Sequence, residues 1–142
     1  MRTSVRKAQR NDIDVIHKLL DIEPFKYDED LPYDREWIEQ LVTNKKCITL
    51  VYETENQIKG FISGEILISN AILLWFCAVK EGYQNKNIGV KLYFEFEKRC
   101  KKAGINAILA YGYKTSANML ERLNYYSNGK SYKEFYKPLD EE

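Results

Sequence analysis

Residues 71–90 read AILLWFCAV, KEGYQNKN and IGV in three consecutive parts: an apolar segment, a polar loop and the start of a long amphipathic segment. Ala71–Val79 is apolar at every position, which predicts a strand covered on both faces in the middle of a sheet. From Asn87 to Ala103 the apolar residues recur at helical spacing, and Gly104 suits the left-handed turn that ends a helix. This stretch therefore predicts a central strand that leads through a loop into a long helix.

Outside this stretch, hydrophobic periodicity and turn residues predict further strands and helices on both sides of it. In chain order these are a strand at Thr3–Ala8, a helix capped by Asn11, a helix capped by Asp34, a hairpin of Cys47–Glu53 and Ile58–Ile68, a strand at Ile105–Tyr111, a short helix at Ser116–Leu123 and a pair of strands within Tyr125–Leu139. The resulting order, β-α-α-β-β-β-α-β-α-β-β, indicates an α+β fold of one sheet, of about six to seven strands, with helices on both faces.

Length and composition narrow the classes of protein. A chain of 142 residues that is 44% hydrophobic predicts one domain spanning residues 1–142. Because 22 Lys and Arg face 21 Asp and Glu, overall charge gives no reason to expect nucleic acid or an anionic membrane as partner. No apolar run approaches the roughly 20 residues of a membrane helix. The charged N-terminus lacks the apolar core of a signal peptide, so we expect a cytoplasmic protein.

The three cysteines predict no disulfide framework and no metal site. Cys47, Cys77 and Cys100 are odd in number and far apart in the sequence, which fits neither paired bridges nor the spacing of zinc ligands. Free thiols that pack as small apolar residues are the expected state.

The loop after Ala71–Val79 has the features of an anion site. Backbone N–H groups at a helix start converge on one point, and the helix dipole adds partial positive charge there, so a diphosphate can be held. Lys86 adds a full charge, and Gly89 removes a Cβ where a phosphate would press against the backbone. Asn87 is one of the few residue types other than glycine that accept a left-handed turn.

This loop resembles the acyl-CoA loop of GNAT acetyltransferases, whose pattern is Arg/Gln-x-x-Gly-x-Gly/Ala after a strand that ends in valine. Gln84, Ile88 and Gly89 match that pattern, whereas Asn87 stands where the first glycine usually is. The resemblance extends over nearly the whole chain because the family has the same order of strands and helices. It implies a mixed, mostly antiparallel sheet that is splayed at its middle.

Two C-terminal segments support the same resemblance. Met119–Tyr125 looks like the family's Phe-Tyr-Glu-Lys-Leu-Gly-Phe segment, and Phe135–Leu139 looks like its closing strand. Three separate regions thus agree with the family in the right order.

The resemblance implies acetyl-CoA as cosubstrate and direct transfer of the acetyl group to an amine in a ternary complex. The pantetheine arm would pair with the exposed edge of Phe76–Val79, where a backbone N–H would also stabilise the oxyanion. The residues expected to bind acetyl-CoA are Phe76, Cys77, Ala78, Val79, Gln84, Asn85, Lys86, Asn87, Ile88, Gly89, Val90 and Asn118.

Acid and base catalysts are less directly indicated. The family often uses a tyrosine on its last helix to protonate the departing thiolate, but Leu120 occupies that position here. Of the nearby tyrosines, Tyr113 is the candidate acid, and Tyr111 and Tyr125 are alternatives. Glu65 is the candidate base because it lies on an extended segment next to the central strand. An acyl-enzyme route through Cys77 is disfavoured.

The acceptor amine and the catalytic competence of the chain stay open at this point. The acidic run Asp28-Glu29-Asp30 hints at a cationic acceptor, but a solvated run explains it as well. The loss of the usual tyrosine at Leu120 allows a catalytically weak or inactive acyl-CoA-binding regulator. The Tyr-rich segment 125–136 allows a dimerising interaction module, so a homodimer is an alternative. Nucleic-acid binding through Lys98, Lys101 and Lys102 is not needed to explain these residues.

Overall fold

The structure is a computed structural model, and it describes residues 3–20, 34–84, 86–110, 121–122, 125–127, 137 and 139. Contacts divide the chain into two compact units, Met1–Ala110 and Tyr111–Glu142. In the second unit, Glu121 and Arg122 are helical. The first unit contains these elements, with a 3-10 turn at Arg10–Asp12 before α1: β1 (Thr3–Lys7), α1 (Ile13–Leu19), α2 (Arg35–Thr43), β2 (Cys47–Thr54), β3 (Gln57–Ile66), β4 (Ala71–Val79), α3 (Ile88–Lys102) and β5 (Ala107–Ala110).

The strands form one sheet in the order β1-β2-β3-β4-β5. The first three pairings are antiparallel, and β4 pairs with β5 in parallel. The turn between β2 and β3 places Glu55 and Asn56 at φ 54° and 63°, and Asn70 has φ 67° in the turn before β4. These left-handed residues let the chain reverse tightly, which explains why adjacent strands in the sequence are neighbours in the sheet.

The predicted fold class is confirmed as a mixed, mostly antiparallel sheet with helices. Ala71–Val79 forms β4 with the predicted bounds, and α3 lies within the predicted helix. The predicted count of about six to seven strands is corrected to five in the described part of the chain. The remaining predicted pair belongs to Tyr125–Leu139, most of which lies outside the described residues.

The two helical layers cover opposite faces of the sheet. On one face, Ile16 of α1 and Ile38 of α2 share a buried core with Phe61 and Phe76. On the other face, α3 approaches β3 closely because β3 has glycines there. A Cβ added at Gly64 would lie 2.7 Å from Phe96 Cζ, a distance at which the ring would have to move.

The two predicted N-terminal helix caps have different outcomes. Asp34 caps α2 as predicted, since its carboxylate accepts a hydrogen bond from the Trp37 N–H at 2.8 Å. Asn11 is not a cap but lies within the 3-10 turn, where Asp12 accepts a hydrogen bond from the Gln9 N–H at 2.7 Å. Asp12 stands at the N-cap of α1, but its side chain makes no capping hydrogen bond to that helix, so the side-chain cap predicted at Asn11 is wrong: the 3-10 turn precedes α1 instead. None of the helices in the described part of the chain has the length and apolar character needed to cross a membrane.

Candidate functional site

The loop between β4 and α3 folds back on the strand end through its own hydrogen bonds. The Lys80 N–H donates to the Lys59 carbonyl at 2.7 Å, and the Tyr83 N–H donates to the Lys80 carbonyl at 3.0 Å. The side-chain amide of Gln84 donates to the Val79 carbonyl at 3.4 Å. Gly82 turns the chain with φ 88°. The loop is thus tied to β3 at its start and to the end of β4 at its middle.

Asn87 forms the junction with α3 in the left-handed conformation predicted for it, with φ 62° and ψ 16°. The first helical hydrogen bond runs from the Lys91 N–H to the Asn87 carbonyl, at 3.0 Å. The N–H groups of Ile88, Gly89 and Val90 therefore lie ahead of the hydrogen-bonded turns. Lys86 and Asn87 are exposed to solvent, so the start of α3 is accessible. Among the predicted binding residues, Asn85 lies outside the described residues.

A group of three lysines surrounds Tyr83 beside this junction, and the sequence did not single it out. The ammonium nitrogens of Lys59, Lys86 and Lys80 lie 4.3, 5.8 and 5.9 Å from the centroid of the Tyr83 ring. Lys59 is only 3% exposed and donates to Gln57 Oε1 at 2.6 Å. Positive charge is therefore concentrated next to the N-terminus of α3, where an anion is also favoured by the helix dipole.

The edge of β4 that faces β5 is paired only in its first half. Pairing with β5 joins Ala71–Leu74 to Ala107–Ala110, and in the described residues Trp75–Val79 continue without a partner on that side. The β3–β4 register shifts as well, because Ser63 pairs with Phe76 while Gly64 pairs with Leu74. Trp75 is thus an extra residue in β4. A bulge of this kind bends the strand and redirects side chains.

The candidate base Glu65 lies beside this bulge. Its Cα pairs with that of Leu73, and its Oε1 accepts a hydrogen bond from the Trp75 indole N–H at 3.0 Å. The Trp75 ring contacts the Trp37 ring of α2 edge-on, with centroids 5.6 Å apart. The contacts of Trp75 with Glu65 and Trp37 were not predicted from the sequence. The only sequence signal for them is an aromatic residue within a strand composed mostly of aliphatic residues.

Cys77 has the properties of a packing residue. Burial raises the pKa of its thiol to about 12, so the thiol is protonated at neutral pH. All three cysteines are free thiols, as predicted. A protonated thiol is a poor nucleophile, which weighs against an acyl-enzyme at Cys77.

The remaining predictions cannot be placed. The candidate acid Tyr113, the predicted binding residue Asn118 and Leu120 all lie outside the described residues, as does the acidic run Asp28-Glu29-Asp30. Within the described part of the chain, no group of three or more His, Cys, Asp or Glu side chains could hold a metal ion.

The family model described as the acetyltransferase (GNAT) family matches residues 13–126. The chain belongs to the GNAT acetyltransferase family. The chain is accordingly an N-acetyltransferase that transfers an acetyl group from acetyl-CoA to an amine, with an acceptor that the match does not identify.

Solved structures share the fold at low sequence identity. A PaiA N-acetyltransferase from Thermoplasma acidophilum, in complex with coenzyme A, is 22% identical with a TM-score of 0.70, and 87% of each chain is covered. An aminoglycoside acetyltransferase from an uncultured soil metagenomic sample, in complex with sisomicin, is 19% identical with a TM-score of 0.68, and 97% of each chain is covered. A transcriptional regulator from Bacillus halodurans C-125 is 17% identical with a TM-score of 0.76, covering 95% of this chain and 100% of its own. No curated protein matches the sequence.

The described residues at the start of α3 fit the anionic part of acetyl-CoA. N–H groups ahead of the hydrogen-bonded turns, the left-handed Asn87 before them and the exposed ammonium groups of Lys80 and Lys86 are donors of the kind that a diphosphate requires. In this GNAT acetyltransferase the nucleotide end of the cosubstrate therefore has a chemically suitable partner.

Proposed function

We propose that this GNAT acetyltransferase holds acetyl-CoA at the junction of β4 and α3, with the diphosphate on Gln84–Val90 and the pantetheine arm along Phe76–Val79. The observation that carries this proposal is the left-handed Asn87, which precedes the first turn of α3 and follows the end of β4 that, among the described residues, has no partner on its β5 side. An edge without a strand partner offers N–H and C=O groups to an extended amide-bearing arm, as it would to another strand.

Glu65 and Tyr113 are the proposed base and acid. Glu65 takes up one proton from the acceptor ammonium, and the freed lone pair of the amine forms the new C–N bond as the C–S bond of the thioester breaks; the second proton leaves the nitrogen to solvent, which gives the neutral amide. Tyr113 returns a proton to the departing sulfur. The position of Glu65 beside the bulge at Trp75 supports its part in this scheme, and the sequence alone supports that of Tyr113.

Calorimetric titration with acetyl-CoA tests the proposed binding site. Lys86→Gln removes one ammonium beside the helix start, so we expect acetyl-CoA affinity to fall about three- to tenfold, with a weaker dependence on salt. Lys98→Gln is the matched control, since Lys98 is an exposed lysine of α3 far along the helix. Absence of binding at millimolar acetyl-CoA, or an equal loss in both variants, would refute the placement.

A second candidate function follows from Leu120 at the usual tyrosine position. A chain that lacks the acid would bind acyl-CoA and act as a sensor or regulator. Tight acetyl-CoA binding combined with no release of CoA across a broad panel of amines would favour this function. Restored turnover in Leu120→Tyr would show that only the acid is missing.

The remaining features of the proposal concern the whole chain. We place the protein in the cytoplasm. We also propose that residues 1–142 form a single domain, which the family match across residues 13–126 supports. Self-association through segment 125–136 is the proposed route to a homodimer. Sedimentation velocity over a hundredfold range of concentration tests it, and a strict monomer throughout would exclude that route.

A further inference from the structure

We propose that Trp75, Trp37 and Glu65 form the acceptor site, and that the acceptor is an amine with a single ammonium on an aromatic or aliphatic body. This inference rests on the proposed function, because it assigns a substrate class to the same site. The aromatic acceptor site, as we call these three residues, lies entirely within Met1–Ala110.

The three side chains lie on one face of the sheet, and the bulge places Phe76 on that face beside Trp75. Ser63 and Phe76 are paired across β3 and β4, and Phe76 belongs to the core shared with α1 and α2. The extra residue Trp75 contacts Trp37 of α2 and Glu65 of β3, so it points to the same face as Phe76. Alternation from Ile72, which approaches Gly64 on the α3 face, already directs Trp75 to this face, and the bulge directs the next residue, Phe76, to it as well.

The walls of this site are aromatic and partly open. Trp37 contacts Phe76 edge-on with ring centroids 5.4 Å apart, as well as Trp75. Trp75 is nevertheless 40% exposed, which is unusual for the largest apolar side chain in the middle of a central strand. An exposed indole face attracts both apolar groups and cations.

Glu65 supplies the single carboxylate of the described part of this site. Its Oε1 accepts the Trp75 indole N–H at 3.0 Å, which fixes the orientation of the carboxylate. Its Oε2 has no hydrogen-bond partner among the described residues. Glu65 also faces Cys47, whose pKa is raised by burial and by the negative charge of Glu65. The oriented carboxylate of Glu65 can pair with one ammonium group, and the indole rings beside it can contact the apolar body that carries this ammonium.

The charges beside the middle of β4 and beyond its C-terminal end are complementary to the two substrates. Three lysines lie at the Lys80 end, where the anionic nucleotide is proposed to bind, and Glu65 lies near Trp75. Four strand residues lie between Trp75 and Lys80, so the two Cα atoms are about 17 Å apart. The acceptor cation is therefore attracted to the middle of β4 and the cosubstrate anion to its Lys80 end, which places the thioester between them.

Intrinsic fluorescence tests the site directly, because Trp37 and Trp75 are the only tryptophans of the chain. We expect 2-phenylethylamine and hexylamine to change the emission in the absence of acetyl-CoA. Trp75→Leu should weaken this binding about three- to tenfold, and Glu65→Gln should weaken it more for these amines than for uncharged 2-phenylethanol. Phe94→Leu, at an exposed aromatic residue on α3, is the matched control and should leave it unchanged.

Steady-state kinetics separate this inference from the proposed function. We expect kcat/KM for 2-phenylethylamine to exceed that for kanamycin and spermidine, and Trp75→Phe and Trp75→Leu to raise the KM for the amine without changing that for acetyl-CoA. Preference for the polycations, or unaltered amine KM in both variants, would overturn the inference. Acetyl-CoA binding without any amine response would refute the acceptor site alone, whereas an amine response without acetyl-CoA binding would refute the proposed function alone.

Discussion

Asn87 shows how one residue can replace a glycine in a family motif. Its φ of 62° lies in the left-handed region, where most residues with a side chain are strained by about 1–2 kcal/mol. Asparagine is among the side chains that tolerate this region best. The departure from the family pattern at Asn87 therefore changes the residue type but keeps the backbone that aims the first N–H groups of α3.

Substitutions at Asn87 test this equivalence. Asn87→Gly should change the free energy of unfolding by less than about 0.5 kcal/mol and preserve acetyl-CoA affinity, because glycine adopts the same φ. Asn87→Val should destabilise the protein by about 1–2 kcal/mol and weaken acetyl-CoA binding, because a β-branched residue is strained there. Urea denaturation and calorimetry measure both effects. Equal free energies of unfolding and equal acetyl-CoA affinities in the two variants would show that neither quantity depends on the left-handed backbone conformation at position 87.

Cys77 provides a test through its protonation. Burial raises the pKa of Cys77 to about 12, well above its value in an unfolded chain. The protonated thiol thus contributes stability that is fully present below the unfolded pKa and is lost as pH rises towards 12. We expect the free energy of unfolding to fall between pH 9 and about 11, less steeply in Cys77→Ala than in the wild type. Rapid reaction of native Cys77 with a thiol reagent at pH 7 would instead indicate a low pKa.

At the scale of secondary structure elements, the position of α3 depends on the glycines of β3. A Cβ at Gly64 would lie 2.7 Å from Phe96 Cζ and 3.0 Å from Ile72 Cγ1, and both of these side chains are fully buried. At Gly60 the nearest side-chain atoms would be 3.2 Å away, on Ile88 and Leu92. The distance between α3 and the sheet, and hence the direction of the N-terminus of α3, therefore requires a residue without a side chain at Gly64.

Gly64→Ala should destabilise the protein by about 1–3 kcal/mol through overpacking. Phe96→Leu alone should also destabilise it, because it removes part of a buried ring. In the double variant Gly64→Ala/Phe96→Leu, the shorter side chain makes room for the added methyl group. We expect the combined loss to be smaller than the sum of the single losses, as measured by a double-mutant cycle in urea. Strict additivity would contradict the contact.

At the scale of the whole molecule, a cluster of charges joins the outer strand to the helical layer. Arg6 of β1 donates to Asp12 of the 3-10 turn at 2.8 Å and to Glu53 of β2 at 3.2 Å. Desolvation by burial raises the pKa of Asp12, but the hydrogen bonds from Arg6 and the Gln9 N–H, together with the attraction of Arg6, outweigh it and lower the pKa overall. Asp12 is 4% exposed and Arg6 is partly buried, so this ion pair is partly shielded from solvent.

Acid denaturation tests the cluster. Because the pKa of folded Asp12 is lowered, its contribution is present above an unfolded pKa of about 3.9 and is lost as pH falls through the folded pKa. Arg6→Met should destabilise the protein by about 1–3 kcal/mol at pH 7 and flatten the loss of stability below about pH 4. Arg35→Met, which breaks the exposed Arg35–Asp14 pair, is the control and should have little effect. Equal losses would show that burial of Asp12 is unimportant.

The sequence alone determined the features that depend only on residues close to one another along the chain. An unbroken apolar run specified β4 residue by residue, the periodicity of Ile88–Lys102 specified α3, and Asn87 and Gly104 adopt the left-handed conformations expected between and after them. Local sterics and hydrophobic spacing suffice for such features. The GNAT family could be recognised for the same reason, because its acyl-CoA loop is one continuous segment.

Only the tertiary structure decided which distant residues meet. The bulge at Trp75, its hydrogen bond to Glu65 and the lysines around Tyr83 depend on the register of β3 against β4. A register is set by the packing of both faces of a sheet, and a shift of one residue moves every later side chain to the opposite face. No local pattern carries that information, so the acceptor end of the site became visible only once the strands were paired.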